Sequence, residues 1–142
     1  MQITLLTPSD LESILPLLCE LNPKQTPQRL EQNMLDMLAY DNYFCFGLWE
    51  EQQLVALSGG WITTRLYSGK QLEIDNIVVD QNCRSKGYGE KLVEHIAEWS
   101  KQQGCITLEL NTYVSNSRSH KFYFNQGMEI IGYRFQKYLD PR

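Results

Sequence analysis

Residues 72–110 restrict the topology of this chain more than any other stretch. An apolar, β-patterned run, LEIDNIVV (72–79), leads through the glycine-bearing segment CRSKGYGEKL (83–92) into a helical pattern that ends near Gly104. CITLELN (105–111) then reads as a second strand. A strand–helix–strand unit within one sheet joins parallel strands, because its helix carries the chain back across a face of the sheet. From about Tyr88 to Gln103, the residues Tyr88, Leu92, Val93, Ile96 and Trp99 line one side of the helix, and Gly104 supplies a stop. His95 falls opposite much of that side and is expected to face solvent.

The remaining segments predict antiparallel strands and two early helices. QITLL is a short first strand. TPSDLESILPLLCELN places Leu11, Ile14, Leu15, Leu18 and Leu21 at helical spacing, with Ser9 or Asp10 as cap. Pro16 predicts a kink there or a displaced start. After PKQTP, a second helix begins at Pro27 with Leu30, Met34, Leu35, Met37 and Leu38 as its apolar side. YFCFGLW and LVALSGGWITTRL form a hairpin around EEQQ, and YSGK turns the chain into LEIDNIVV. Gly59 and Gly60 predict a bulge or a close backbone approach. NSRSHKFYFNQG reads as a short helix ended by Gly127, and MEIIGYRFQKYL as one or two final strands. No repeat or linker interrupts this order, so residues 1–142 are expected to form a single mixed α+β domain.

Composition narrows the partners. A net charge of -4 argues against nonspecific nucleic-acid binding, whose footprint is a basic stripe. Arg84 and Lys86 form a local basic spot on that acidic background. Cys19, Cys45, Cys83 and Cys105 include no CxxC pair, and His95 and His120 do not complete a metal cluster, so free thiols and no metal are expected. MQITLLTPSD lacks the features of a signal peptide, and no apolar run approaches the roughly 18 residues of a membrane span. A cytoplasmic location away from membranes is the expectation.

The glycine stretch needs its own explanation, since glycine in a helix costs roughly 1 kcal/mol relative to alanine. A helix N-terminus presents unpaired N–H groups and a positive dipole end, and missing side chains at Gly87 and Gly89 would let anionic oxygens approach them. The plainer alternative is a tight turn with an exposed basic pair. A P-loop needs GxxxxGK[ST], which is absent, and a GxGxxG dinucleotide fingerprint fails at Leu92. Arg84-Ser85-Lys86-Gly87-Tyr88-Gly89 does fit R/Q-x-x-G-x-G/A.

IVVDQNCRSKGYGEKL resembles the coenzyme-binding strand–loop–helix of the GNAT superfamily of acyl-coenzyme A-dependent N-acyltransferases. NSRSHKFYFNQGM is similar to that family's later N-x-x-A-x-x-x-Y-x-x-x-G-F pattern. Gln81, Ser119 and Met128 depart from its usual proline, alanine and aromatic. The resemblance covers nearly the whole chain and implies a three-layer fold: a mainly antiparallel six- to seven-stranded sheet, one parallel pair splayed apart, and about four helices on both faces. It further implies an N-acetyltransferase using acetyl-CoA as co-substrate, with a small-molecule or peptide amine as acceptor and a possible homodimer.

By the same resemblance, Arg84, Ser85, Lys86, Gly87, Tyr88 and Gly89 hold the coenzyme pyrophosphate. Ile77, Val78 and Val79 offer backbone groups to its pantetheine arm, and the N–H of Ile77 is placed to polarise the thioester carbonyl. Asn116 and Ser119 sit beside the arm, and Tyr123 is the proton donor to the departing thiolate. Tyrosine suits that role, being protonated at neutral pH. Glu73 matches a position that serves some members as general base. Glu73 and Asp75 share a strand face, where two carboxylates attract a cationic amine or form a solvated surface; Asp75 is the residue expected to orient the substrate. His120 is expected at the surface or near the coenzyme, and Trp49, Trp61 and Tyr113 in packing or along an acceptor pocket. Two further functions fit the motifs: a noncatalytic acyl-CoA binding or sensing domain, and a nucleotide-binding regulator.

Overall fold

A computed structural model describes residues 1–140. Its element order is β1 (Gln2–Leu5), α1 (Leu11–Leu21), α2 (Pro27–Leu38), β2 (Tyr43–Glu50), β3 (Gln53–Arg65), β4 (Gly69–Val79), α3 (Tyr88–Gln102), β5 (Thr107–Leu110) and α4 (Ser117–Asn125). The chain divides into two compact units, Met1–Leu110 and Asn111–Arg142.

In the first unit the sheet order is β1-β2-β3-β4-β5. The first four strands pair antiparallel, and β5 lies parallel to β4, as the crossover requires. Strand alternation splits the side chains between two helical layers. Tyr43, Cys45, Leu57 and Val78 join Ile14, Leu17 and Leu18 of α1 and Leu30 and Met34 of α2 in one core. Phe44 and Phe46 point the other way and pack on Trp99 of α3, with ring centroids 4.8 and 5.0 Å apart. His95 is exposed, with its ring edge-on to Phe46.

Pro16 lies inside α1 on an exposed turn, while the buried side is Ile14, Leu17 and Leu18. Neither Ser9 nor Asp10 caps α1 with its side chain. Asp10 instead accepts from the Thr7 N–H at 2.9 Å, closing a 3-10 turn over Pro8–Asp10 that leads into the helix.

The expected bulge is present between β3 and β4. Leu57 faces Val78 and Gly59 faces Asp75, so Ser58 stands opposite both Asn76 and Ile77. Asn76 takes the extra residue in the left-handed region, at φ 59°, which asparagine tolerates better than most residues. This bulge resets the alternation: Asp75 and Val78 are three residues apart, yet both lie on the α1/α2 face. Gly59 is also a close approach, since a Cβ there would stand 2.9 Å from the Asp75 carbonyl oxygen. Gly59→Ala is expected to cost roughly 1–3 kcal/mol, read as a lower denaturant midpoint at constant m value. An unchanged midpoint would show that the two strands separate freely.

The sheet has five strands among the described residues, fewer than the six to seven expected. MEIIGYRFQKYL forms none of them: residues 128–139 pair with no strand, and Ile130, Tyr133 and Phe135 are 69%, 87% and 94% exposed. β-prone residues mark a segment able to pair but do not supply the ladder partner. Among the described residues, no helix is long and apolar enough to cross a membrane.

Candidate active site

The parallel pairing of β4 with β5 runs from Gln71↔Thr107 to Ile74↔Leu110 and stops. Beyond Ile74, β4 continues to Val79 along β3 alone, leaving its other edge without a strand partner among the described residues. Backbone donors and acceptors on such an edge suit an extended ligand. Ile77, Val78 and Val79 form this stretch. The side chain of Val78 is buried in the α1/α2 core, so only its backbone is offered.

The edge leads into the glycine loop. Asp80 Oδ1 accepts from the Asn82 N–H at 2.8 Å and starts a 3-10 turn over Gln81–Cys83. Ser85 and Gly87 then adopt left-handed backbone, at φ 67° and 77°, before α3 begins. A Cβ at Gly87 would meet open space, so its glycine serves the backbone angle rather than packing. The Lys91 N–H closes onto the Gly87 carbonyl at 3.1 Å, leaving Tyr88, Gly89 and Glu90 with the first-turn N–H groups. Arg84, Ser85 and Lys86 are exposed beside them. Tyr88 is half-buried; desolvation, and then a hydrogen bond with Glu50, raise its pKa. First-turn donors, two exposed cations and an open strand edge together fit a pyrophosphate carrying an extended arm.

Carboxylates gather where β3, β4 and β5 meet. Register pairing puts Glu73 beside Trp61 of β3 and Glu109 of β5. Arg65 Nη2 lies 3.6 Å from Glu73, and Tyr67 donates to Glu109 at 2.9 Å. That bond is the main cause of the raised Tyr67 pKa. Asp75 accepts from the Trp61 indole at 3.1 Å, and Trp61 packs against Tyr40 and Tyr43 with ring centroids 5.7 and 4.6 Å apart. Trp61 therefore both packs and fixes the Asp75 carboxylate. Trp49 is a packing residue whose indole donates to Thr4 at 2.9 Å. Burial pushes the Cys45 thiol up to about 12, which keeps it neutral and unsuited as a nucleophile.

Asn116, Ser119 and Tyr123 belong to the second unit and are brought together by α4. Asn116 caps the helix, its Oδ1 accepting from the Ser119 N–H at 3.2 Å. Tyr123 follows one turn later, half-buried, with its ring edge-on to Phe122 at 5.3 Å. Burial raises its pKa. The Met128 N–H bonds the Tyr123 carbonyl at 3.1 Å and the Gly127 N–H bonds Phe124 at 3.0 Å, with Gly127 left-handed at φ 82°. That arrangement is a Schellman stop, which fixes the helix end behind Tyr123. His120 bonds the Tyr113 carbonyl at 3.0 Å, and the Tyr113 side chain is 84% exposed rather than packed. Three partners of site residues were not foreseen from the sequence, Arg65 on Glu73, the Trp61 indole on Asp75 and Glu20 near Arg84, because only the folded sheet and α1 bring each pair together.

The acetyltransferase (GNAT) family profile matches residues 11–128. The chain belongs to this family. The uncharacterized N-acetyltransferase YhdJ of Bacillus subtilis is 28% identical over 123 residues, covering 86% of this chain and 87% of that protein. The crystal structure of glucosamine-6-phosphate N-acetyltransferase from Arabidopsis thaliana superposes with a TM-score of 0.76 at 26% identity, over 98% of each chain. An aminoglycoside N-acetyltransferase solved in complex with CoA reaches 0.82 at 19% identity, over 96% of this chain and 95% of its own, and shares the fold. The protein is thus an acyltransferase with a mixed α+β acetyltransferase fold.

Proposed function

We propose that this protein transfers an acetyl group from acetyl-CoA directly to an amine, on a small molecule or a peptide, within one catalytic domain spanning residues 1–142. The observation that carries this reading is the unpaired edge of β4 beyond Ile74, which runs straight into the glycine loop and the first-turn donors of α3. The family match spans both units, which supports treating them as one domain. Acetyl-CoA supplies the acetyl group as a thioester.

Arg84, Lys86 and the N–H groups from Arg84 to Gly89 hold the pyrophosphate, with Ser85 and Gly87 setting the backbone curve. Backbone groups of Ile77, Val78 and Val79 align the arm, and Asn116 and Ser119 flank it. The Ile77 N–H polarises the thioester carbonyl, where negative charge develops. Glu73 takes the proton an ammonium must lose before its nitrogen can attack, and Tyr123 gives its phenolic proton to the departing sulfur. Asp75, fixed by the Trp61 indole, orients the amine. The Glu73, Asp75 and Glu109 carboxylates and the neighbouring aromatics favour a cationic acceptor.

Glucosamine-6-phosphate and aminoglycoside, named for two of the similar proteins, are both amines. Release of free coenzyme A thiol across an amine panel, with acetylated product identified by mass, tests the proposal.

A further inference from the structure

We propose that Glu20, at the end of α1, is a positioning residue for the coenzyme loop, holding the turn at 81–83 in place for the donor. This rests on the acetyl-CoA reading above. Every N–H of that turn has an acceptor. The Cys83 N–H bonds the Asp80 carbonyl at 2.8 Å, and the Asn82 N–H bonds the Asp80 carboxylate at 2.8 Å. Both partners are local. The Gln81 N–H instead donates at 2.8 Å to Oε1 of Glu20, 61 residues earlier in the chain.

Glu20 is therefore the tie from within this turn to a separate structural element, while the Asp80 N–H that precedes it bonds the Val55 carbonyl of β3 at 2.8 Å. The turn joins the open end of β4 to Arg84, so its placement sets where the following N–H groups point. Arg84 Nη2 lies 3.9 Å from the same Glu20 oxygen, with the Arg84 side chain 58% exposed. At that distance and exposure the ion pair contributes little. A backbone N–H bonded to a carboxylate is the stronger tie.

The two contacts predict different outcomes for two variants. Glu20→Gln keeps an oxygen able to accept from Gln81 but removes the charge facing Arg84; Glu20→Ala removes both. Calorimetric titration of the full-length protein with coenzyme A is expected to give about tenfold weaker binding for Glu20→Ala. Glu20→Gln should stay within about twofold of the wild type. Amide exchange at Gln81 should accelerate in Glu20→Ala and remain slow in Glu20→Gln, a readout independent of binding. Equal binding in both variants, whether weakened or not, would overturn the positioning role. Slow Gln81 exchange in Glu20→Ala would overturn the hold on the turn itself. Failure of the wild-type protein to bind coenzyme A would instead remove the acetyl-CoA reading, and this proposal with it.

Discussion

Replacing Tyr123 by Phe is expected to lower kcat by about a hundredfold or more, the usual contribution of a positioned general acid. The KM for acetyl-CoA should change little. The substitution removes one hydroxyl and keeps the ring against Phe122 and the backbone bonds that end α4, so the fold has no reason to weaken. A thermal midpoint within a few degrees of wild type would verify that control. Burial raises the Tyr123 pKa, so the phenol keeps its proton to higher pH than a solvated tyrosine would. The donor is thus present throughout the neutral range and is lost only as pH climbs past that raised value. Any fall in rate on the basic side near neutrality must come from another group. If Tyr123→Phe turns over like the wild type, Tyr123 is a packing residue and another donor protonates the sulfur.

The second large effect falls on Glu73. Glu73→Gln should reduce kcat/KM by about a hundredfold. A carboxylate can accept the amine's proton, and a glutamine amide in its place cannot. Arg65 lies 3.6 Å from Glu73 with its side chain 48% exposed, and such a pair adds little to stability. Unfolding therefore does not explain a loss of rate. A variant with wild-type kcat/KM would take Glu73 out of the proton pathway and leave it as Arg65's partner.

Local pattern carried most of the fold. The span from LEIDNIVV to CITLELN announced the parallel pair because its period changed from two to helical and back, with glycine at each junction. The two early helices and the β2–β3 hairpin followed from spacing and turn residues in the same way. What depended on a distant partner was not legible. Residues 128–139 read as one or two strands yet form none, since pairing is a property of two segments. Gly59 and Gly60 pointed to a bulge or a close approach, but the left-handed residue that resets the register is Asn76 on the facing strand. The candidate site divides along the same line. The glycine loop and the Asn116–Ser119–Tyr123 spacing are local motifs and stood out in the sequence. Arg65 on Glu73, Trp61 on Asp75 and Glu20 on the Gln81 N–H join residues that only the folded sheet and α1 bring together.

Coenzyme A release measured together with acetylated product, across cationic and neutral amines, bears most directly on the catalytic assignment. The expected result is one acetylated amine formed for each thiol released, with cationic acceptors preferred and the reaction largely lost in Tyr123→Phe. Coenzyme A binding without acetyl transfer to any amine in the panel would contradict it, and would identify the chain as an acyl-CoA sensor built on an acetyltransferase fold.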